Sequence, residues 1–197
     1  MSDGLKKFTA TDLTALLPRV ALPAASAMLV DQCPTVPAAI EALEAGGFPL
    51  EAARLIAHAL PKREAVWWAC MCALHTAPAD LAESDRAARE AAELWVRQPS
   101  DSVRRAAMAR AQGTGFGTPE AWAAVAAFWS GDSMAPEGQP AVPPAPHLTG
   151  TAVSGAVALS AVRGDVSRRP LRLQRFLESG RNIAAGGPGR LAAEEAW

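Results

Sequence analysis

The chain has 197 residues, of which half are hydrophobic, and its 19 basic and 20 acidic side chains leave a formal charge of −1. That balance supplies no general electrostatic reason to bind nucleic acid or an anionic membrane, and the apolar residues are interrupted too often to form the run of roughly 18 that a membrane span needs. The absence of tyrosine and the abundance of alanine argue for helices and against strands.

In chain order, MSDGLKKFTATDLTALLP carries lysines and polar residues that break the apolar core of a signal peptide, so a cytoplasmic chain with no membrane insertion is expected. Residues 1–23 read as a loosely packed arm with one helical turn from Thr11 to Leu17, closed by Pro18. Residues 24–197 read as a single helical domain. Ala24 to Val30 forms its first helix and Cys33-Pro34 stops it. Thr35 caps a second helix, which Gly46-Gly47 ends. LEAARLIAHAL then presents Leu50, Ala53, Leu55, Ile56, Ala59 and Leu60 on one face, and this pair leans on the helix that begins at Lys62.

Pro61 to Trp129 holds five of the six tryptophans and four helical patterns. In KREAVWWACMCALHT, Val66, Trp67, Cys70, Met71 and Leu74 recur at helical spacing, while Trp68 and Cys72 widen the stripe to nearly the whole surface, as in an interior helix. Trp67, Cys70, Met71 and Leu74 are expected between flanking helices. SDRAAREAAELWVRQ starts at a Ser84 cap, and SDSVRRAAMARAQ starts at Ser100 with Arg104, Arg105 and Arg110 on a basic face. The glycines at 113, 115 and 117 make a sharp return. Thr118-Pro119-Glu120 opens the fourth helix with a cap, a first-turn proline and an early acid. Trp68, Trp95 and Trp122 fall at equal intervals of 27 residues, which leaves two all-α architectures open: an irregular multi-helix bundle, or a short stack of antiparallel helical hairpins.

Residues 131–147 are rich in proline and cannot be helix; they form a strap before the C-terminal helices. LTGTAVSGAVALSAVRG returns to the central core through small residues. A further helix starts near Pro170, carries Arg168, Arg169, Arg172 and Arg175 beside Leu171, Leu173, Phe176 and Leu177, and ends at Gly180 before a frayed LAAEEAW tail.

Candidate chemistry is sparse. His58, His75 and His147 lie on different elements without HxxxH or CxxC spacing, so neither a metal nor another cofactor is implied. Cys33, Cys70 and Cys72 are odd in number, and the last two sit in an apolar setting that suits reduced core thiols. GTGFG at 113–117 lacks both a preceding strand and the Lys-Ser ending of a phosphate loop, and reads as a turn between helices. Ser167-Arg168-Arg169-Pro170 lies too near the C-terminus for an export signal. Asp132, after Trp129 and Gly131, reads first as a turn residue, and is the acid to inspect for a cleft beside the proline-rich segment.

The stretch AWAAVAAFWSGDSMAPEGQPAVPPAPHLTGTAVSGAVALSAV, with RLQRFLESGRNIAAGG, VWWACMCAL and SVRRAAMARAQ, resembles an uncharacterised family of bacterial helical proteins, a domain of unknown function, over most of the chain. The resemblance implies a shared helical domain and, because some members are encoded near type VI secretion components, an accessory role there; it carries no catalytic residue to transfer. The sequence reading is therefore a non-enzymatic adaptor that acts through a protein partner and not through nucleic acid. Its interaction surface would draw on Arg104, Arg105, Arg110, Trp129, Asp132, Arg168, Arg169, Arg172 and Arg175. The alternative is a small-molecule-binding or hydrolytic enzyme with a pocket near Trp129 and Asp132.

Overall fold

The computed structural model describes residues 5–8 and 12–194. These contain α1 (Leu13–Val20), α2 (Ala24–Val30), α3 (Val36–Ala45), α4 (Pro49–Ala59), α5 (Lys62–His75), α6 (Glu83–Arg97), α7 (Asp101–Gly113), α8 (Pro119–Trp129), α9 (Leu148–Val162) and α10 (Arg169–Ala184), with a short 3-10 turn over Val166–Arg168. No strand occurs among the described residues, and the helices form an irregular all-α bundle.

Helix α5 is the interior helix: Ala65, Val66, Trp68, Ala69, Cys70 and Cys72 have no exposed surface. It packs on α6, α8 and α9. Helices α6, α7 and α8 pack on one another through alanines one turn apart, Ala88 with Ala92 and Ala107 with Ala111, all fully buried. A methyl group holds backbones apart less than a leucine does, so these three can lie close together. Helix α9 returns against α8, α5 and α4. The equally spaced tryptophans fall on α5, α6 and α8 in unlike settings: Trp68 is fully buried, Trp95 nearly so, and Trp122 half-buried.

Several boundaries differ from the sequence reading. Helix α1 continues through Pro18 to Val20 and buries Leu13, Leu16 and Val20; Thr11, where its start was expected, lies outside the described residues. Five helical residues precede Pro18, and its missing N–H and the crowding of the Thr14 carbonyl weaken the last turn without ending the helix. Helix α6 begins at Glu83, so Ser84 lies inside its first turn and is not the cap. Caps at Thr35, Ser100 and Thr118 do accept from the backbone N–H groups of Ala38, Val103 and Ala121, each at 3.3 Å. Helix α4 packs mainly on α9, α3 and α10, with little contact to α5.

The tryptophan at the centre is also not the one expected. Trp67 is half-buried and its indole N–H donates to the Pro188 carbonyl at 2.7 Å. Trp68 is fully enclosed and donates to the Phe176 carbonyl at 2.9 Å. Leu74 is half-buried, whereas Cys70 and Met71 are interior. A helix apolar on every side gives no stripe from which to choose the inner face. Gly180 belongs to this contact: α10 runs on to Ala184, and a Cβ at 180 would approach Ile56 Cγ2 to 2.9 Å and Trp68 Cε2 to 3.2 Å. Glycine is there for the close crossing, not to stop the helix.

The proline-rich connection is tied at its neck. Met134 N–H donates to the Val142 carbonyl at 2.7 Å, Ser133 Oγ accepts from Val142 N–H at 3.0 Å, and Arg105 donates to the Ala135 carbonyl at 2.8 Å. Residues 136–143 between these ties are exposed, and Pro144 is half-buried.

Candidate functional site

The first arginine cluster is mostly architectural. The Arg104 side chain is 3 % exposed; its guanidinium lies 5.1 Å from the Phe128 ring centroid, donates to the Phe128 carbonyl at 3.3 Å and pairs with Asp101. Gly131 makes room for it, since any Cβ there would overlap the guanidinium. Arg105 shares Asp101 and holds the neck of the proline-rich connection. Hydrogen bonds from Arg105, then Arg104, hold the Asp101 carboxyl below the usual carboxylate range. Only Arg110 of this cluster points wholly into solvent. Trp129 is half-buried and meets Trp122 edge-on at 6.3 Å, and Asp132 is exposed. Neither lines any of the cavities described below.

The second cluster surrounds a groove. Arg172, 2 % exposed, donates to the carbonyls of Ala161 at 3.3 Å, Arg163 at 2.5 Å and Asp165 at 3.3 Å, which satisfies the C-terminal end of α9. Its remaining N–H groups hold the Glu194 carboxylate at 2.7 Å and 3.2 Å, and Arg168 approaches the same carboxylate at 3.4 Å. The Arg172 hydrogen bonds pull the Glu194 carboxyl below its ordinary range. The chain before Glu194 is fixed as well: Ser179 Oγ donates to the Gly189 carbonyl at 2.6 Å, and Glu194 N–H donates to the His75 carbonyl at 2.7 Å. The segment expected to fray is thus bound as far as Glu194; residues 195–197 lie outside the described residues. His75 is buried, its Nδ1 contacts the Ala192 carbonyl and its ring stands edge-on to Phe176 at 5.9 Å. The Nδ1 contact assigns the proton to that nitrogen, and Nε2 has no hydrogen-bond partner among the described residues.

Between the bound tail and α10 lies a cavity of about 620 Å³, lined by His75, Arg168, Leu171, Arg175, Arg190, Leu191 and Glu194. Leu171 is 48 % exposed, and Val166 beside it 59 %. Arg175 and Arg190 have no carboxylate partner among the described residues. Arg169 is exposed on the outer side of α10. Of the arginines the sequence suggests as an interaction surface, Arg168 and Arg175 line this cavity and Arg172 turns inward, while Arg190, not foreseen, joins from the tail.

A second cavity, of about 630 Å³, opens between α1, α4 and α9 and is lined by Arg19, Arg54, His58, His147, Thr151 and Ser154 with apolar neighbours. His58 Nδ1 donates to the Arg54 carbonyl at 2.9 Å, and Nε2 is buried without a partner. Burial lowers the His58 pKa from 6.5, and the charges of Arg54, His147 and Arg19 lower it further. The histidines that sequence spacing kept apart are here brought to one cleft by tertiary folding. A third cavity, of about 520 Å³, includes Arg63, Glu64, Trp67, Arg97 and Arg190. Burial pushes the Cys70 and Cys72 thiols well up, away from nucleophilic character. Among the described residues no group of three or more His, Cys, Asp or Glu side chains is placed to hold a metal ion, and no helix is long and apolar enough to cross a membrane.

Fold and surface together define an all-helical bundle with cationic clefts at its edges. The chain belongs to the family of unknown function DUF6931, an all-helical bacterial domain, and the match spans residues 39–184. No curated protein and no solved structure matches the chain.

Proposed function

We propose that the protein is a non-enzymatic adaptor that docks an acidic, leucine-bearing segment of a protein partner in the groove along α10. One observation carries this reading: the groove already holds such a segment in cis. Leu191 packs against the core and Glu194 is gripped by Arg172 and Arg168, while Arg175, Arg190 and the exposed Leu171 continue the same chemistry outward with no carboxylate to match among the described residues. Arginine is enriched among the residues that carry binding energy at protein interfaces, and a cationic groove favours an acidic partner over other surfaces.

The setting we propose is cytoplasmic, at a bacterial secretion assembly of the type VI kind, following the resemblance in the helices and the proline-rich connection. The experiment is affinity capture of the tagged full chain from its native cell, in parallel with Arg175→Glu/Arg190→Glu. The reading expects a partner with acidic, leucine-bearing segments, depleted at least tenfold by the charge reversal. Equal recovery with both chains would overturn the groove as the docking site.

A further inference from the structure

The cleft between α1, α4 and α9 is independent of the α10 groove and shares none of its residues. Its existence follows from the sequence of α9. Thr151, Ser154, Gly155 and Ala158 stand at i, i+3, i+4 and i+7, so they form one stripe, and all four line the cavity. Small side chains on that stripe leave a space of about 630 Å³ beside α4, within the range of small-molecule sites. Gly150, one residue before the stripe, lets the His58 ring lie flush with the α9 backbone: a Cβ at 150 would approach His58 Cγ to 2.6 Å and Nε2 to 2.9 Å.

The polar lining of this space is one-sided. Arg19, Arg54, His58 and His147 face it, and among the described residues no carboxylate does. Other arginines with buried or half-buried side chains have acidic partners, as Arg89 has in Glu93, Arg163 in Glu120 and Arg181 in Glu44; Arg175 in the α10 groove is the exception. In the cleft, Arg54 donates only to the Ala21 carbonyl, at 3.4 Å, and Arg19 has no partner among the described residues. The Thr151 and Ser154 hydroxyls donate to their own helix carbonyls at 3.0 Å and 2.7 Å, so recognition of a negative group falls to the arginines and His147. Val20, Leu50 and Ala158 supply the apolar wall.

We propose that this cleft binds a small organic anion, with one carboxylate or phosphate group held by Arg19, Arg54 and His147 and an apolar body laid against Val20, Leu50 and the small-residue stripe of α9. The shared requirement is a compact negative head on an apolar body. A bidentate arginine contact suits either head group, and the arginines lining the cleft repel a cationic ligand.

Isothermal titration of the full chain with four probes tests this: octanoate, octyl phosphate, inorganic phosphate and octylammonium, all below micelle-forming concentrations. At least one of the two anionic amphiphiles is expected to bind one-to-one with a Kd of about 1 mM or tighter, with inorganic phosphate at least roughly tenfold weaker for want of an apolar body, and with no octylammonium binding. The relative strength of octanoate and octyl phosphate separates a carboxylate from a phosphate head. Arg19→Gln/Arg54→Gln should weaken anion binding roughly tenfold or more, and Ala158→Leu, which fills the cleft from the opposite wall, should do the same. Arg19 is exposed, so Arg19→Gln alone serves if the double variant fails to fold. Arg110→Gln, on exposed α7 surface, should leave binding unchanged. The proposal is overturned if neither anionic amphiphile binds, if octylammonium binds as well as octanoate, or if Arg19→Gln and the double variant bind like the parent chain.

Discussion

Replacing Trp68 by alanine should be more damaging than replacing its neighbour Trp67, although the two look alike in the sequence. Trp68 has no exposed surface, donates its indole N–H to the Phe176 carbonyl at 2.9 Å, and lies 3.2 Å from the position a Cβ would take at Gly180. A buried tryptophan hides some 150–250 Å², which at about 25 cal/mol per Å² corresponds to about 4–6 kcal/mol as an upper figure. Deletions of this kind in packed cores cost about 3–5 kcal/mol. Trp67 is half-buried against Pro188 and should lose about 2–3 kcal/mol, roughly half the full-burial figure, with one hydrogen bond at the surface adding little. Trp68→Phe keeps most of the ring and loses the N–H contact, so about 1–2 kcal/mol is expected from it. Equilibrium denaturation in urea, with slopes compared across the three variants, reads these differences directly. Equal losses for Trp67→Ala and Trp68→Ala would refute the assignment of Trp68 as the side chain that joins α5 to α10.

Arg163 neutralises the fully buried Glu120 and also donates to the Ala73 carbonyl at 3.3 Å; Arg163→Met should therefore cost about 3–5 kcal/mol, and Glu120→Gln/Arg163→Met should recover much of it, a pattern a double-mutant cycle reveals. Of the three thiols, only the half-buried Cys33 should react with an aromatic disulfide reagent in the native chain, with Cys70 and Cys72 appearing on unfolding; rapid native labelling of Cys70 would contradict the burial that raises its pKa. The folded-state pKa of His58 lies below its unfolded value of 6.5, so the unfolded chain takes up the proton first: the contribution is whole above pH 6.5 and is lost as pH falls from there through the folded pKa. His58→Gln should flatten that part of the stability profile measured by thermal unfolding, and an unchanged profile would remove His58 as its source.

The helical periodicities, the caps at Thr35, Ser100 and Thr118, and the prolines that separate elements made the all-α bundle legible, because each acts through neighbours a few residues away. What could not be read was direction. An apolar surface on every side of α5 hides which tryptophan faces inward, and an arginine such as Arg104 or Arg172 is indistinguishable in sequence from a solvated one until the Phe128 ring or the α9 carbonyls are folded beside it. Gly180 looked like a stop because its close partners, Ile56 and Trp68, are more than a hundred residues away in the chain. The clefts were less legible still. His58 and His147 meet only through the packing of α4 on α9, although the small-residue stripe at 151, 154, 155 and 158 was a signal that a wall of α9 would be recessed. Arg190 and Glu194 gave no local indication of order, since what fixes the tail is its contact with Ser179, His75 and Arg172.

The most direct measurement of the central claim is fluorescence anisotropy of a labelled Leu-Ala-Ala-Glu-Glu peptide, the chemistry the chain presents at residues 191–195, titrated with the full-length protein. Groove docking predicts saturable binding that weakens as salt rises, because the contacts at Arg175 and Arg190 are solvent-screened, that is lost with Arg175→Glu/Arg190→Glu, and that is absent for Leu-Ala-Ala-Lys-Lys. Binding of the lysine peptide with equal strength, or no binding of the acidic peptide at any salt concentration, would contradict it.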